Sequence, residues 1–232
     1  MVVSVITVVY NGADTLGDTI KSVLSKKTDA VEYIVIDGGS KDGTQNIIKK
    51  FSDKIDYWVS EADNGIYDAM NKGIGVASGT YMCFINSGDT LAEIPFNSLA
   101  SSNNADMICF PITINGCRIK YPKLNWKFKI TNTLPHQGVY YKKQPALKYN
   151  TRYKVFADYA LNADYVLSKK NIKLLSSPVV ANHNLDGISN NKTSSKELFE
   201  MIKEKFGFAQ VITSFLYFKF RGLYYRFHFL CL

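Results

Sequence analysis

The chain has 232 residues, of which 46% are hydrophobic and 21% are charged, and its formal net charge is +8. This composition is that of a folded globular protein and excludes an intrinsically disordered or collagen-like chain. The longest uncharged run near the C-terminus, residues 206–218, is shorter than the ~20 residues that span a bilayer, so we predict no membrane-spanning helix.

The charge is distributed unevenly along the chain. Residues 1–110 contain 8 Lys/Arg and 14 Asp/Glu, whereas residues 111–232 contain 20 Lys/Arg and 6 Asp/Glu. The basic second half indicates an anionic partner, such as a phosphate-bearing lipid, an acidic membrane surface or nucleic acid, or else an uneven solvated surface. Because no aromatic-basic RNA motif and no DNA-reading helix is evident, we expect no nucleic-acid partner.

The cysteines and the N-terminus indicate a reducing compartment. The four cysteines form no CxxC pair, and Cys83 and Cys109 lie in apolar, strand-like runs, which favours buried free thiols over disulfides or a zinc site. The apolar residues 1–10 lack a basic leader and a small-residue cleavage site, so we interpret them as a first strand rather than a signal peptide.

Short apolar runs alternate with helical spacing in the first half. Strands are predicted at residues 2–10, 33–36, 55–60 and 81–85. Helices are predicted at residues 14–25, 44–51 and 66–77. Strands that alternate with helices in this way predict a mostly parallel sheet with helices on both faces.

The second half is less regular. We predict one strand at residues 105–114, which forms a hairpin with residues 118–121 across Asn115-Gly116, and an irregular loop at 122–135. Further strands are predicted at residues 138–142, 173–175 and 179–181, and helices at 158–168 and 197–205. Residues 206–232 have no acidic residue and are rich in aromatics, so they fit either a membrane interface or a helix packed on the domain or on a partner.

Two carboxylates follow apolar strands, where open α/β sheets place ligands. Asp37 precedes two glycines, and its carboxylate could accept a hydrogen bond from a ligand or from its own turn. Asp89 ends Asn86-Ser87-Gly88-Asp89 and could hold Mg²⁺ or Mn²⁺ against substrate phosphates, or stand exposed in a tight turn.

Four segments then establish a resemblance. In chain order they read SVITVVYNG from Ser4, IDGGSKDGT from Ile36, SEADNGIYDAMNKGI from Ser60 and FINSGD from Phe84. Together they resemble the nucleotide-sugar half of family 2 glycosyltransferases, which are inverting enzymes with the GT-A fold, and among these the bacterial members that build surface polysaccharides. The resemblance covers roughly residues 1–190. It implies a GT-A-like α/β domain at 1–205, with a nucleotide-sugar half (1–110) and an acceptor half (111–205), followed by a basic aromatic segment (206–232).

The resemblance assigns the donor side by position. The strand-end Asp of the family contacts the nucleobase and corresponds to Asp37, and the metal-binding DxD-like motif falls on Asn86, Ser87, Gly88 and Asp89. Asp89 is the only acidic residue among these four, so it alone is assigned to the metal, Mg²⁺ or Mn²⁺. The remaining residues assigned to the nucleotide sugar are Thr7, Tyr10, Asn11, Asp63, Asp68, Asn71 and Lys72.

The resemblance also assigns the acceptor side, whose residues lie in the second half of the chain. The catalytic base of the family opens a helix there and corresponds to Asp158, for which a helix N-cap is the alternative role. His136 and Gln137 correspond to a His-Gln pair near the acceptor and the diphosphate. His183 precedes residues 186–189, which resemble a closing lid.

These assignments imply an inverting hexosyl- or N-acetylhexosaminyl-transferase. The sugar would pass from a nucleotide-diphosphate donor to a glycan or polyprenyl-diphosphate-linked acceptor during synthesis of a bacterial surface polysaccharide such as O-antigen or capsule. We expect the protein in the cytoplasm, in peripheral contact with the inner face of the membrane through residues 206–232. The alternative is a catalytically degenerate scaffold of a polysaccharide assembly complex, favoured by the reduced Asn-Ser-Gly-Asp motif.

Overall fold

The structure is a computed structural model that describes residues 2–184 and 194–229, with side chains up to Asn184 and from Ser195 to Phe220. It has a mixed α/β architecture, as predicted. The strands are β1 (Val3–Val9), β2 (Val31–Asp37), β3 (Tyr57–Ser60), β4 (Tyr81–Phe84), β5 (Thr90–Leu91), β6 (Met107–Cys109), β7 (Ile112–Ile114), β8 (Arg118–Lys120), β9 (Val139–Lys142), β10 (Ile172–Leu174) and β11 (Ala181–His183). The helices are α1 (Ala13–Leu24), α2 (Thr44–Lys50), α3 (Ile66–Val76), α4 (Phe96–Ser101), α5 (Ala157–Leu167), α6 (Ser194–Phe206) and α7 (Phe208–Phe229).

The central sheet has seven strands in the order β10-β6-β9-β4-β1-β2-β3. β1 pairs in parallel with both β2 and β4, and Ile6 lies opposite Ile34 on one side and Phe84 on the other. β9 runs antiparallel to its neighbours β4 and β6. The prediction of a mostly parallel sheet is therefore confirmed.

Each face of the sheet is covered by helices. Successive residues of a strand point to opposite faces, so Val5 and Ile6, both fully buried, enter two different apolar cores. The core that contains Ile6 includes residues of α3, α5 and α6, and the core that contains Val5 includes residues of α1, α2 and α4. Gly73 allows α3 to approach closely, because a Cβ there would lie 2.6 Å from Ile6 Cγ2.

The prediction of one strand at residues 105–114 was wrong. β6 belongs to the central sheet, whereas β7 belongs to a second, four-stranded sheet in the order β5-β11-β7-β8. The chain changes sheets at Phe110-Pro111, because proline has no N–H to donate to a strand ladder. The predicted hairpin to β8 is confirmed, and Asn115 and Gly116 form its turn with φ of 49° and 68°.

Several elements differ from prediction in their bounds. β5 and α4 were not predicted, because strands and helices this short show no periodicity. The strand expected at 179–181 begins at Ala181 and ends at His183, and the helix expected at 197–205 runs from Ser194 to Phe206.

The C-terminal segment forms α7, which follows α6 after Gly207, a residue with φ of 92°. Part of α7 packs on the domain, since the buried Ser214 hydroxyl donates to Ile130 O at 2.7 Å. Its opposite side exposes Phe208 and Phe220, and Phe215 is exposed beside Phe199 of α6. None of the described helices is long and apolar enough to cross a membrane.

Candidate active site

Most of the sequence-predicted residues lie at the carboxyl edge of the central sheet. β1 lies between β2 and β4. The first crossover therefore places β2 on one side of β1, and a later crossover places β4 on its other side. Such a reversal opens a crevice beyond the strand ends. The loops 10–12, 38–43, 61–65 and 85–89 all leave the sheet at this edge.

Asp89 is held rigidly beyond β4. Its N–H donates to Asn86 O at 2.9 Å, and its carbonyl accepts from Thr19 Oγ1 at 2.8 Å. Gly88, with φ of 96°, makes the tight turn that a side chain would strain. Asp89 is 5% exposed, so the alternative of an exposed turn carboxylate is wrong.

The Asp89 carboxylate binds residues from two distant segments. Oδ2 accepts from Gln137 Nε2 at 2.8 Å, and Oδ1 lies 2.8 Å from His183 Nδ1. The N–H of Asn184 also donates to Oδ1 at 3.2 Å. The fold thus brings Gln137 and His183, which are 48 and 94 residues from Asp89 in sequence, to one carboxylate. We call Asp89, Gln137 and His183 the Asp89 cluster.

Asp158 lies in the first turn of α5 and forms a second cluster. Its Oδ1 accepts from Tyr67 Oη at 3.2 Å, and its Oδ2 accepts from Asn132 Nδ2 at 2.9 Å. His136 Nδ1 is 4.0 Å from Oδ2. We call Asp158, Tyr67, Asn132 and His136 the Asp158 cluster. Burial and the neighbouring Asp158 carboxylate raise the pKa of Tyr67, which keeps that hydroxyl protonated as a donor.

The start of α5 does not depend on Asp158 for capping. Glu197 of α6 accepts from the backbone N–H groups of Lys154, Val155 and Phe156, each at 2.8 Å. These N–H groups immediately precede the helix, where a carboxylate also complements the helix dipole. Because another residue stabilises this end, the Asp158 side chain is available to face the cleft.

His136 and Gln137 connect the two clusters. They are consecutive in a 3-10 turn (His136–Gly138) before β9. The imidazole of His136 stacks on Phe84 with ring centroids 5.5 Å apart, and neither of its nitrogens has a hydrogen-bond partner among the described residues. Burial lowers the pKa of His136, with Asp158 opposing that shift, so the ring is neutral near pH 7.

Lys120, at the end of β8, is a partly buried cation. It lies opposite Ile112 in the β7–β8 ladder, and Ile112 packs beside Gly138 of the 3-10 turn. Burial lowers the pKa of Lys120, and attraction to Asp158 opposes this shift. No salt bridge to Lys120 occurs within residues 2–184 and 194–229.

Asp37 lies at the end of β2 and is fully buried. Its carboxylate accepts from the N–H and hydroxyl of Ser40, and Ser60 Oγ donates to Oδ2 at 2.5 Å. The turn that Asp37 begins is therefore fixed by its own side chain.

The first of the four motifs, which begins at Ser4, contributes residues both at the rim of the crevice and in the protein interior. Tyr10 is 66% exposed at the rim of the crevice. Asn11, with φ of 48°, accepts from Lys41 N at 3.0 Å and so joins the loops after β1 and β2. Thr7 is fully buried beneath them, where its hydroxyl donates to Ile85 O at 2.7 Å.

The acidic loop before α3 reaches the same rim through Asp63. A Cβ at Gly38 would lie 2.3 Å from Asp63 Oδ2 and 3.3 Å from the Tyr10 ring, so this glycine is required for the close approach of the loops. Asp63 Oδ1 also accepts from Gly65 N at 2.8 Å.

Three predicted residues on α3 line a neighbouring cavity instead. Asp68, Asn71 and Lys72 border a space of about 620 Å³ between α3 and the 143–151 loop, with no member of the Asp89 or Asp158 cluster in its lining. The Asn71 amide makes two hydrogen bonds to the backbone of Tyr149, at 2.8 and 2.9 Å. Lys72 Nζ pairs with Glu61 at 2.9 Å.

The rest of the Asn86-Ser87-Gly88-Asp89 motif turns toward the crevice. Ser87 Oγ hydrogen-bonds Thr15 Oγ1 at 2.9 Å, and a Cβ at Gly88 would meet no atom within 4 Å. Asn86 Oδ1 is buried and has no hydrogen-bond partner among the described residues. The predicted lid, residues 186–189, lies outside the described residues.

Sequence reasoning missed Tyr67, Asn132, Asn184, Lys120 and Glu197. Tyr67 lies within the third motif, so the motif could have identified Tyr67 as a site residue. Asn132 lies in a loop predicted to be irregular, and its contact with Asp158 spans 26 residues that no local pattern relates.

Comparisons with known proteins show which family and which proteins this chain resembles. Residues 4–160 match the family model described as Glycosyl transferase family 2. An uncharacterized glycosyltransferase of Mycobacterium tuberculosis is 46% identical over 88 residues, which cover 38% of this chain and 34% of that protein. The match therefore spans about a third of that relative. A PGL/p-HBAD biosynthesis glycosyltransferase of Mycobacterium bovis is 24% identical over 86% of this chain and 83% of its own length.

Solved structures share the fold. Staphylococcus aureus TarS 1–349 in complex with UDP-GlcNAc superposes with a TM-score of 0.70 at 18% identity, covering 87% of this chain and 64% of TarS. The mannosyltransferase PcManGT of Pyrobaculum calidifontis, in complex with GDP-Man and Mn²⁺, gives a TM-score of 0.65 at 13% identity over 86% of this chain and 62% of its own. At these identities the likeness concerns the fold alone.

Proposed function

Because this chain belongs to glycosyl transferase family 2, we propose that it transfers a sugar from a nucleotide-diphosphate sugar to an acceptor hydroxyl with inversion. One observation carries the proposal. Two carboxylates, Asp89 and Asp158, stand at the carboxyl edge of the sheet beside the consecutive residues His136 and Gln137, of which Gln137 donates to Asp89 and His136 lies 4.0 Å from Asp158. One carboxylate is suited to the donor diphosphate and the other to the acceptor proton.

Asp158 is the proposed base. The acceptor hydroxyl must lose its proton as its oxygen attacks the anomeric carbon, and a carboxylate within hydrogen-bond reach can accept that proton. The anomeric carbon–oxygen bond to the diphosphate breaks on the opposite face, and the nucleotide diphosphate leaves with the bonding electrons. A single in-line displacement of this kind inverts the anomeric configuration. Asn132 orients the carboxylate by donating to Oδ2, and the Tyr67 hydroxyl, whose shorter bond of 2.7 Å goes to Val155 O, lies 3.2 Å from Oδ1.

Asp89 is proposed to serve the donor diphosphate. The described residues contain no cluster of three or more His, Cys, Asp and Glu side chains suited to a metal ion. The Asp89 carboxylate nevertheless fits Mg²⁺ or Mn²⁺, because such ions often take only one or two carboxylates and complete their shell with phosphate oxygens and water, and His183 orients that carboxylate through Oδ1. When bound, the ion would offset charge on the leaving diphosphate. The cation Lys120 supplies positive charge from the protein.

The nucleoside is proposed to lie at the rim formed by Tyr10, Asn11 and Asp63. The exposed Tyr10 ring offers a stacking surface, and the Asp63 carboxylate is close enough to the Gly38 backbone to border the same space. In this proposal Asp37 shapes the base-binding turn, since its oxygens are already hydrogen-bonded to Ser40 and Ser60.

The acceptor is proposed to be a glycan or a polyprenyl-diphosphate-linked sugar of a bacterial surface polysaccharide. The basic second half supports it, because such acceptors carry phosphate and are presented at an anionic membrane. We therefore place the protein in the cytoplasm, at the inner face of the membrane. In this proposal residues 1–205 form the glycosyltransferase domain and residues 206–232 form a C-terminal segment, with Gly207 as the break before α7.

A panel of nucleotide sugars tests the function. Purified protein with Mn²⁺ is incubated with UDP-, GDP- and dTDP-sugars, and release of the nucleotide diphosphate is measured with and without extracted lipid acceptors. Turnover of one donor, lost in Asp158→Asn, supports the proposal. Binding of a donor without turnover under any of these conditions would favour a scaffold instead.

A further inference from the structure

An aromatic and basic surface is left unused by the proposed chemistry. It consists of the outward side of α7 together with the exposed residues of the 3-10 turn Trp126–Lys129. The members are Trp126, Lys127, Lys129, Phe208, Ile212, Phe215, Leu216, Lys219 and Phe220, which we call the aromatic-basic surface.

α7 is apolar on the side that faces away from the domain. Its inward positions include Ser214, which is fully buried, and Val211, which packs against the core. Its outward positions include Phe208 and Phe220, each 64% exposed. An ordinary surface helix shows the reverse distribution, with polar residues outward. The outward aromatics therefore indicate a contact that the isolated chain does not supply.

The turn at 126–129 continues this side of α7. Phe128 is buried and anchors the turn, whereas Trp126 is 59% exposed. The Trp126 ring contacts Tyr217 of α7 edge-on, with centroids 6.5 Å apart, and Lys127 Nζ lies 5.6 Å and 5.7 Å from the centres of these two rings. The turn and the helix are thus joined into one surface.

The charge of this surface has a single sign. The sequence from 107 to 157 contains ten Lys/Arg and no acidic residue, and α7 contains no acidic residue. Within the described ranges, 2–184 and 194–229, no salt bridge neutralises Lys127, Lys129 or Lys219. Two copies of such a surface would repel each other, so a second copy is a poor occupant.

We infer that the aromatic-basic surface docks the protein onto an anionic phospholipid bilayer, with α7 lying in the plane of the interface. Aromatic rings beside lysines suit this depth, because the rings enter the headgroup boundary while the cations meet lipid phosphates. The inference deepens the proposed function, on which it rests for the presence of a lipid-linked acceptor. It adds the turn at 126–129, which lies within the acid-free basic stretch 107–157.

Vesicle co-sedimentation of the full chain tests the inference without any turnover. Wild-type protein should sediment with vesicles that contain roughly one third phosphatidylglycerol, and not with pure phosphatidylcholine vesicles. Lys127→Gln/Lys129→Gln should weaken partitioning by about 30-fold. Phe208→Ser/Phe215→Ser should weaken it by on the order of tenfold or more.

Matched variants on α2 and β3, neither of which belongs to the aromatic-basic surface, are the controls. Lys49→Gln/Lys50→Gln on α2 and Tyr57→Ser on β3 should partition like wild type. Circular dichroism confirms that every variant is folded. Equal partitioning of the surface variants and the controls would overturn the inference. So would a concentration-dependent dimer in ultracentrifugation that Phe208→Ser/Phe215→Ser abolishes. Failure of nucleotide-sugar turnover with intact vesicle binding would count against the proposed function alone.

Discussion

Gln137 Nε2 donates a 2.8 Å hydrogen bond to Asp89 Oδ2 across the β4–β9 boundary. This bond connects the donor side of the cleft to the segment that also positions His136 against Asp158. A displacement of the 3-10 turn would therefore alter the surroundings of both carboxylates together.

The first prediction concerns Asp158. Asp158→Asn should lower the transfer rate by roughly 100- to 10,000-fold while leaving the affinity for the donor nucleotide nearly unchanged, because the amide cannot accept the acceptor proton. Steady-state kinetics and calorimetry with UDP or GDP measure the two effects. Tyr67→Phe is the matched control, since it removes one hydrogen bond to the carboxylate but keeps the base, and should cost less. Retained turnover in Asp158→Asn would exclude this residue as the base.

The second prediction concerns Asp89 and the metal. Asp89→Ala should remove the part of UDP or GDP binding that depends on Mn²⁺, because it deletes the carboxylate ligand beside His183. Calorimetric titrations with and without Mn²⁺ give that difference, and Asp53→Ala on the surface should leave it unchanged. If wild-type protein binds nucleotide equally well with and without the metal, the proposed metal role is wrong.

The third prediction separates two roles for Asn71. Asn71→Leu should lower the free energy of unfolding by about 2 kcal/mol, because its two hydrogen bonds to the Tyr149 backbone are lost and that backbone is left unsatisfied. Chemical denaturation measures the loss. UDP or GDP affinity should change little.

Lys72→Met on the same helix serves as the control for Asn71. The side chain of Lys72 is paired with Glu61 at the surface, so its removal should change stability by less than about 1 kcal/mol. A drop in nucleotide affinity in Asn71→Leu without loss of stability would support the sequence-based assignment of Asn71 to the donor.

The fourth prediction concerns pH. Burial lowers the pKa of His136 below its usual 6.5, so the unfolded chain binds a proton that the folded chain does not. Stability should therefore fall as the pH drops below about 6.5. Denaturant unfolding between pH 7.5 and 5.5 should show a shallower decline in His136→Gln than in wild type. The charges of Asp158 and Asp89 oppose this lowering of the His136 pKa, and that of His183 adds to it. Parallel declines in the two proteins would argue against the buried neutral imidazole.

The sequence was sufficient for the first four strands and the helices between them. β-branched runs and apolar residues at helical spacing are local properties, and the alternation of such segments predicts parallel strands. The motifs also located both carboxylates, because strand ends and helix starts can be recognised from neighbouring residues. The break at Phe110-Pro111 was missed, since an apolar run does not reveal that its two halves enter different sheets.

The partners of those carboxylates were decided by tertiary structure. His136 and Gln137 were known as a pair, but only the fold shows that one faces Asp158 and the other Asp89. The two faces of α7 also depend on packing, because both are apolar in sequence and only contact with the rest of the domain, including Ile130, buries one of them. The sequence by itself determined which chemical groups this protein has at its strand ends. The tertiary structure decided which groups meet, because contacts over 26 to 94 residues depend on sheet order and not on local pattern.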